Sequence, residues 1–424
     1  MRNVSRTIEA GKTVLIVLLA VSALFLAWRT KLFSDFFKIV PFFGNVAELM
    51  RGTAGTAETG GASLKEAARP LSIVITNEEG GRYGVKYDTD ARNTAYGRTS
   101  IIFNEALGSS SKPLEIDEDE WRAALCGPGV FFAYATPVKL SVLVGWLGTR
   151  MAEFYDDASL TYICVAFGEG RSRVYYQDHE SGLFYGADTA SSAGKAQELG
   201  IYNANGALFA FETSIKAADN APYMLILPGA EHPVIHAGAA GNAGELIDIV
   251  LAALGHSDEA PAILPESDGA IRCVGTQFNI RADALGRVTY HRTDSLPPAE
   301  ERQTLDESEM IERARVIAAD TIGGTCGDAE VSFESFEYSA GYYSVYFDYY
   351  IAGGNIHIHD DARAARVSFL SGMITDVELN FRHYALTDEH TELLPERQAL
   401  AAANGEFMLF YSDTGPEWLH PFWH

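Results

Sequence analysis

The sequence predicts an α+β protein, with an N-terminal transmembrane helix followed by antiparallel-sheet and helix domains. Three observations predict it. Residues 13–28 (TVLIVLLAVSALFLAW) contain no charged side chain, and nothing later in the 424-residue chain is as long and as apolar. Short β-branched and aromatic runs punctuated by glycine recur after residue 70, as strands and hairpin turns require. Between them lie segments with helical apolar spacing and acidic or Asn/Ser-type starts.

The apolar run reads as an anchor over residues 12–31, preceded by a cytoplasmic tail at 1–11. Sixteen residues rise about 24 Å as a helix, just short of a roughly 30 Å hydrocarbon core. Leu32 and Phe33 extend the apolar stretch, with Lys31 snorkelling to the headgroups and Trp28 at the interface. A cleaved signal peptide is the alternative, but no clean A-x-A site precedes Trp28. Residues 1–40 hold six basic and two acidic side chains; against a chain total of −25, that leaves −29 for residues 41–424. So acidic a body repels nucleic acid and anionic headgroups, which excludes nucleic-acid binding as its business.

Residues 32–69 read as a linker; Gly, Ala and Thr dominate 51–69. The body is expected as two α+β domains, 70–262 and 266–424, divided at ProAlaIleLeuProGlu. In the first, strands are expected at 71–76 and 82–87, about Gly80-Gly81. Asp90 caps a helix through about Leu107, and Asp117 opens another with Glu120 three residues on as a capping box. Strands follow at 130–134, 160–167, 172–177, 183–187, 207–211 and 223–227. Residues 138–148 read as a short buried helix and 244–255 as an amphipathic one. In the second domain a hairpin has arms at 271–281 and 287–292. Asp306 caps a helix to Thr321. Strands are expected at 329–338, 342–351, 363–370, 373–384 and 407–411, with a helix at 395–403 led by Pro395.

The search for chemistry returns no constellation. His357 and His359, two apart, would share a strand face and ligate a metal if His383 or His390 joined them, but they sit beside Gly353-Gly354, where histidines are ordinarily solvated. His232 and His236 flank a proline and do not form a helical ligand pair. GlyGlyThrCysGly at 323–327 follows a helix, so it cannot cradle a phosphate at a helix start. No G-x-S-x-G or P-loop pattern occurs. Cys126, Cys164, Cys273 and Cys326 lack metal or redox spacing and read as buried free thiols. The chain is therefore expected to be no enzyme, without cofactor or metal. Its candidate binding residues are two sets. Ala20, Ala23 and Ala27 fall on one face of the anchor and permit close helix approach. Tyr342, Tyr346 and Tyr350 share one face of strand 342–350, opposite Tyr343, Val345, Phe347 and Tyr349; one face is core, and the other is either covered by a neighbouring domain or a binding surface.

Beyond these residue-level readings, the chain resembles the YycH/YycI family of membrane-anchored extracytoplasmic regulators. The resemblance rests on the lone anchor before a large body, and on RCVGTQFNIRADALGRVTY at 272–290. It rests also on YSVYFDYYIAGGNI at 343–356 with SGMITDVELNFRHY at 371–384, and on LLPERQALA at 393–401 with EWLHPFW at 417–423. These cover about the last 150 residues; the first half matches only in layout. The resemblance implies a YycI/PepSY-like fold for the C-terminal part and a place outside the membrane of Gram-positive bacteria. It also implies a sensor histidine kinase of a cell-wall-related two-component system as partner, with a paralogous regulator as a further one. No catalytic residue transfers. A PepSY-type inhibitory or propeptide-like module is the second reading, and a surface hydrolase the third.

Overall fold

The computed structural model describes residues 64–149, 158–168, 170–190, 193–216, 221–229, 231–295, 304–403, 407–414 and 417–424. The anchor, the cytoplasmic tail and Ala20, Ala23 and Ala27 lie outside the described residues. Among those described, no helix is long and apolar enough to cross a membrane.

The described residues, from Leu64 onward, belong to one compact unit. A short helix α1 (Leu64–Ala67) opens the described part. Ala68 behind it is fully buried and Arg69 donates to Glu330 at 2.6 Å. Residues 64–69, expected as linker, are thus tied to the body.

The first half follows in the order β1 (Ser72–Thr76), β2 (Arg82–Val85), α2 (Thr89–Gly108), β3 (Leu114–Ile116), α3 (Glu118–Cys126), β4 (Gly129–Lys139), α4 (Leu140–Trp146), β5 (Ser159–Gly168), β6 (Arg171–Gln177) and β7 (Phe184–Thr189). Asp88, and not the expected Asp90, caps α2, and Asp117 caps α3, each accepting from a backbone N–H three residues on; Asp90 lies in the first turn of α2, where a carboxylate still meets the helix dipole. Gly148, at φ +72, ends the buried segment after α4. The strands make a seven-stranded sheet in the order β2-β1-β4-β5-β6-β7-β3, with antiparallel neighbours. One face carries α2, where Phe103 stacks on Phe132 at 4.0 Å. The other buries Trp121, Phe131, Cys164, Phe209 and Tyr223 under the small pair β8 (Leu208–Phe209) and β9 (Leu225–Ile226).

The remainder runs β10 (His232–Ala239), α5 (Ala243–Ala253), β11 (Ala262–Pro265), β12 (Ile271–Val274), β13 (Phe278–Ala282), β14 (Arg287–Arg292), α6 (Glu307–Asp320), β15 (Glu330–Ser339), β16 (Tyr342–Ile351), β17 (Gly354–Ile358), β18 (Ala365–Leu370), β19 (Met373–Asn380), β20 (Arg382–Thr391), α7 (Glu396–Ala402), β21 (Leu409–Asp413), β22 (Trp418–Leu419) and β23 (Pro421–Trp423). An eleven-stranded sheet orders β11-β12-β13-β14-β19-β18-β16-β17-β21-β23, with β15 on β16. Helices α5 and α6 cover one face. Asn242 and Asp306 close reciprocal capping boxes at their starts.

Four sequence expectations change. The first arm of the 271–290 hairpin folds into two strands, because Gly275 leaves the space that the Phe278 ring fills as the chain reverses. The strand expected at 373–384 breaks at the fully buried Phe381; β20 then leaves to pair with β10. β10 itself was hidden by Pro233, which sits beside a register shift where a ladder tolerates it. Finally, the segment at 261–266 marks no gap: β11 extends the second sheet, while β10, from before it, pairs with β20, from after it.

Candidate functional site

Two clefts meet on the strand face predicted to carry Tyr342, Tyr346 and Tyr350. The register explains why. β16 pairs with β18, and Tyr346 stands opposite Arg366; β18 pairs with β19, and Arg366 stands opposite Glu378. The alternate positions Val345, Phe347, Val367 and Val377 are fully buried on the helix-covered side. The predicted two-faced strand is therefore present, but its second face is not uniform. Tyr342 is exposed and Tyr346 half-buried, whereas Tyr350 is only 4% exposed. Tyr350 sits where the seven-stranded sheet approaches, so it is removed from any docking surface.

The inner cleft, of about 660 Å³, lies between the two sheets. Ala133–Pro137 and Tyr162 line it from one sheet, Asp348, Tyr350 and Asn355 from the other, with Glu334 and Arg363 beside them. Glu334 arrives through a β-bulge: Phe333 pairs with Phe347 and Ser335 with Tyr346, leaving Glu334 as the extra residue. A bulge of this kind re-aims one side chain out of the alternation. Arg363 Nη1 reaches both the Asp348 carboxylate and Glu334 Oε1, the latter at 3.3 Å. Glu334 Oε2 is sealed from solvent without a hydrogen-bond partner. Burial, and then the Asp348 charge, push the Glu334 carboxyl up to about 7, with Arg363 and the Tyr350 hydroxyl opposing.

Behind this cleft the two halves are pinned by charge. Glu396, at the start of α7, accepts from Lys86 Nζ at 3.3 Å, from the Tyr87 hydroxyl at 2.7 Å and from the Leu227 N–H at 2.8 Å. All but the last come from the loop after β2. His232 packs edge-on to Tyr87 and Trp423, and burial with the neighbouring Lys86 lowers its imidazole to about 4. It stays neutral and structural.

The outer cleft, of about 560 Å³, opens on the other side of Arg363. Arg287, Arg363, Arg366 and Arg382 line it with Tyr346, and Asp283, Asp360, Glu378 and Asp413 line it among them.

The histidine pair does not assemble a metal centre. His357 ends up on β17, and His359 begins the turn after it, paired with Asp360. His383 contacts the Thr325 carbonyl and His390 faces Glu231. No group of three metal-ligating side chains occurs among the described residues. Cys164, Cys273 and Cys326 are buried free thiols, as expected, but Cys126 is exposed. Sequence reading passed over Glu334, Asp348, Arg363 and the Lys86–Glu396 pair. One signal was there: Asp348 interrupts an otherwise aromatic strand, and an acid in that company must be paired or lie on an edge.

No family model matches the sequence, and no curated protein matches it. Among solved structures, the chain is similar to YycH from Bacillus subtilis, with a TM-score of 0.56 at 12% identity. The likeness covers 87% of this chain and 96% of that one. The fold is therefore YycH-like through both halves, well beyond the C-terminal stretches that carry the sequence resemblance.

Proposed function

We propose that this chain is a membrane-anchored extracytoplasmic regulator that binds a sensor histidine kinase of a two-component system and tunes its activity. The observation that carries the reading is the YycH-like arrangement spanning 96% of the YycH chain; the uncharged run at 13–28 adds the anchor. The chain works by binding, not catalysis. Its contacts are the alanine face of the anchor (Ala20, Ala23, Ala27) and the sheet face at Tyr342 and Tyr346 of β16, the first exposed and the second half-buried. Two modest contacts on one tether reinforce each other through effective concentration.

The test is co-purification of the full-length chain from membranes of its native host, followed by autophosphorylation of any recovered kinase with and without the chain. The expected result is a kinase whose autophosphorylation rate changes. Recovery should fall in an Ala20/Ala23/Ala27→Leu variant and in Tyr342→Ser/Tyr346→Ser. A host membrane yielding no kinase overturns the reading. Carbonate extraction checks the anchor: the chain should stay with the membrane, and release into the soluble fraction would remove that part of the proposal. A hydrolase screen and a bound-metal measurement on the same preparation check the non-enzymatic part; turnover or stoichiometric metal would count against it.

A further inference from the structure

An open sheet edge offers its unpaired N–H and C=O groups to any further strand, and native proteins blunt such edges. Three edges here are blunted, each differently. On β2 the Asn205 side chain stands in for a partner strand: its Oδ1 accepts from the Gly84 N–H at 3.0 Å and its Nδ2 donates to the Gly84 carbonyl at 2.7 Å. On β20 the outward N–H groups of Tyr384 and Leu386 go to the Cys326 carbonyl at 3.0 Å and the Asp328 carboxylate at 2.8 Å. On β11 the alternation does it. The Glu266 N–H bonds the Ala270 carbonyl across the turn, so Leu264 and Ala262 face β12, while Pro261, Ile263 and Pro265 face outward. Two of those three are prolines, which have no N–H to offer.

The exception is β15. It is ten residues long, contains no proline, and pairs among the described residues with β16 alone. Its first half is sheltered, since the Thr136 hydroxyl of β4 donates to the Phe333 carbonyl at 3.1 Å. Beyond the bulge at Glu334 no described strand lies along its outer side. Ser339 and Tyr342 flank the two-residue turn Ala340-Gly341 and so exchange hydrogen bonds; alternation then turns the N–H and C=O groups of Phe336 and Tyr338 away from β16. Glu337, Tyr338 and Ser339 are exposed, Tyr338 to 65%.

The two faces of that edge differ. Phe336 and Tyr338 stand opposite Val345 and Tyr343, and their rings lie 5.5 and 4.7 Å from the Tyr343 ring. Glu337 stands opposite Ser344 on the other face, the one that carries Tyr342. A strand laid along β15 therefore sets alternate side chains over aromatic rings and beside a carboxylate. A second copy of this chain suits the place badly. The register that uses both open residues of each copy is two-fold about Glu337, and it sets the two Glu337 carboxylates against each other, which destabilises a ladder. The two bodies would also share the sign of a chain of net charge −25.

We propose that the outer edge of β15, residues 335–339, accepts an extended segment of a partner protein as an added β-strand, one that alternates apolar with basic side chains. The segment's backbone bonds Phe336 and Tyr338. Its apolar residues cover the Phe336, Tyr338 and Tyr343 rings, and its basic residues lie beside Glu337. Main-chain hydrogen bonds supply the affinity in this mode of recognition and alternate side chains the selectivity. The inference is independent of the kinase reading, because it fixes the form and chemistry of the bound segment and not the protein that presents it.

The test titrates an eight-residue peptide alternating valine and lysine into the purified full-length chain at constant ionic strength, read by fluorescence anisotropy. Saturable binding is expected. The same peptide N-methylated throughout keeps its charge and loses its donors, and it should bind roughly tenfold more weakly or worse. Tyr338→Pro should weaken binding of the unmodified peptide by roughly tenfold or more, since it deletes an outward donor and sets a ring in the incoming strand's path. That N–H is not used by β16, so the hairpin keeps its ladder. Tyr338→Val keeps the donor and should lose less than the proline variant. Glu337→Lys should weaken the lysine peptide and strengthen a counterpart that alternates valine with glutamate. Equal binding of the methylated peptide overturns the proposal, because charge alone would then hold it. So does a valine-variant loss as large as the proline loss, binding that Glu337→Lys leaves unchanged, or the absence of saturable binding. Sedimentation of the chain without peptide tests the other occupant: a dimer that Tyr338→Pro dissolves would give the edge to a second copy and overturn the assignment.

Discussion

Glu334 is the residue whose chemistry depends most on its surroundings. Its carboxyl is raised from an ordinary 4.5 to about 7 by burial and by Asp348. Folding therefore favours the protonated form. The stability this contributes is fully present below about pH 4.5 and is lost as pH rises through about 7, where the folded protein must ionise a carboxyl held in the cleft. Glu334→Gln keeps the neutral form at every pH. It should leave stability near pH 4 almost unchanged and raise it above pH 8, by at most about 3 kcal/mol at ~1.4 kcal/mol per pH unit. Denaturant midpoints of both proteins across that range check it; equal slopes of stability against pH would show that Arg363 offsets the burial.

The Lys86–Glu396 pair belongs to the same scale. Both side chains are below 10% exposed. Removing one partner strands the other's charge in the interior, so Lys86→Ala should cost about 3–5 kcal/mol. Glu396→Ala should cost at least as much, because the Tyr87 hydroxyl and the Leu227 N–H lose their acceptor too. The joint Lys86→Met/Glu396→Gln change should be milder than either alanine variant. Urea unfolding of the three gives the comparison; a double variant no better than the singles would mean packing, not charge, sets the cost. None of this was legible beforehand: the partners are 310 residues apart, and pairing at that distance leaves no local pattern.

At the scale of elements, legibility follows from how local the cause is. Capping carboxylates at Asp117 and Asp306, the continuous apolar run of β5 and the aromatic run of β16 announce themselves within a few residues, and the structure has them where the sequence puts them. β10 and β17 were not announced. β10 takes its hydrogen bonds from the distant β20, and β17, a short arm of the hairpin with β16, is completed by the distant β21. The second aromatic face of β16, legible only as covered or open, divides along its length: Tyr350 is covered and Tyr342 open, a split invisible in the strand's own sequence because the neighbouring sheet makes it.

The hairpin turns offer a graded test at this scale. Ala340-Gly341, Ala352-Gly353 and Ser371-Gly372 each have positive φ at both positions, the backbone that two-residue hairpins prefer. At Gly341 a Cβ would meet open space, so Gly341→Ala should cost only the left-handed backbone penalty, about 1–2 kcal/mol. At Gly353 a Cβ would come within 2.8 Å of the Lys86 carbonyl oxygen and of the Tyr87 ring. Those atoms belong to the loop that carries the buried pair. Gly353→Ala should therefore cost more than Gly341→Ala by at least about 1 kcal/mol, in the range of overpacking. Thermal unfolding of the two variants decides; equal losses would mean that the loop at Lys86 yields freely.

For the whole molecule, the question is whether the segment at 261–266 divides two folding units. Composition alone marks it as a boundary, with two prolines and flanking polar residues. The long-range bonds argue otherwise. β10 pairs along most of its length with β20. Lys86 and Tyr87 bond Glu396. Arg69 and Arg92 both converge on Glu330 at the start of β15. Each of these contacts ties a residue before 261 to one after 266, and several are buried polar groups that would be left unpaired if the halves separated. Cutting the chain there should thus remove partners from both sides at once, unlike a cut at a true linker, where few contacts cross. The expected behaviour is one cooperative unfolding transition for residues 64–424. A fragment ending at 260 and another starting at 266 should each lack a sharp transition alone, and should regain it when produced together. Circular dichroism melts of the intact body, of each fragment and of the co-produced pair make the measurement. A fragment 266–424 that melts cooperatively near the temperature of the intact body would show that the second sheet stands without β10, and that the crossing bonds orient the halves without holding them up.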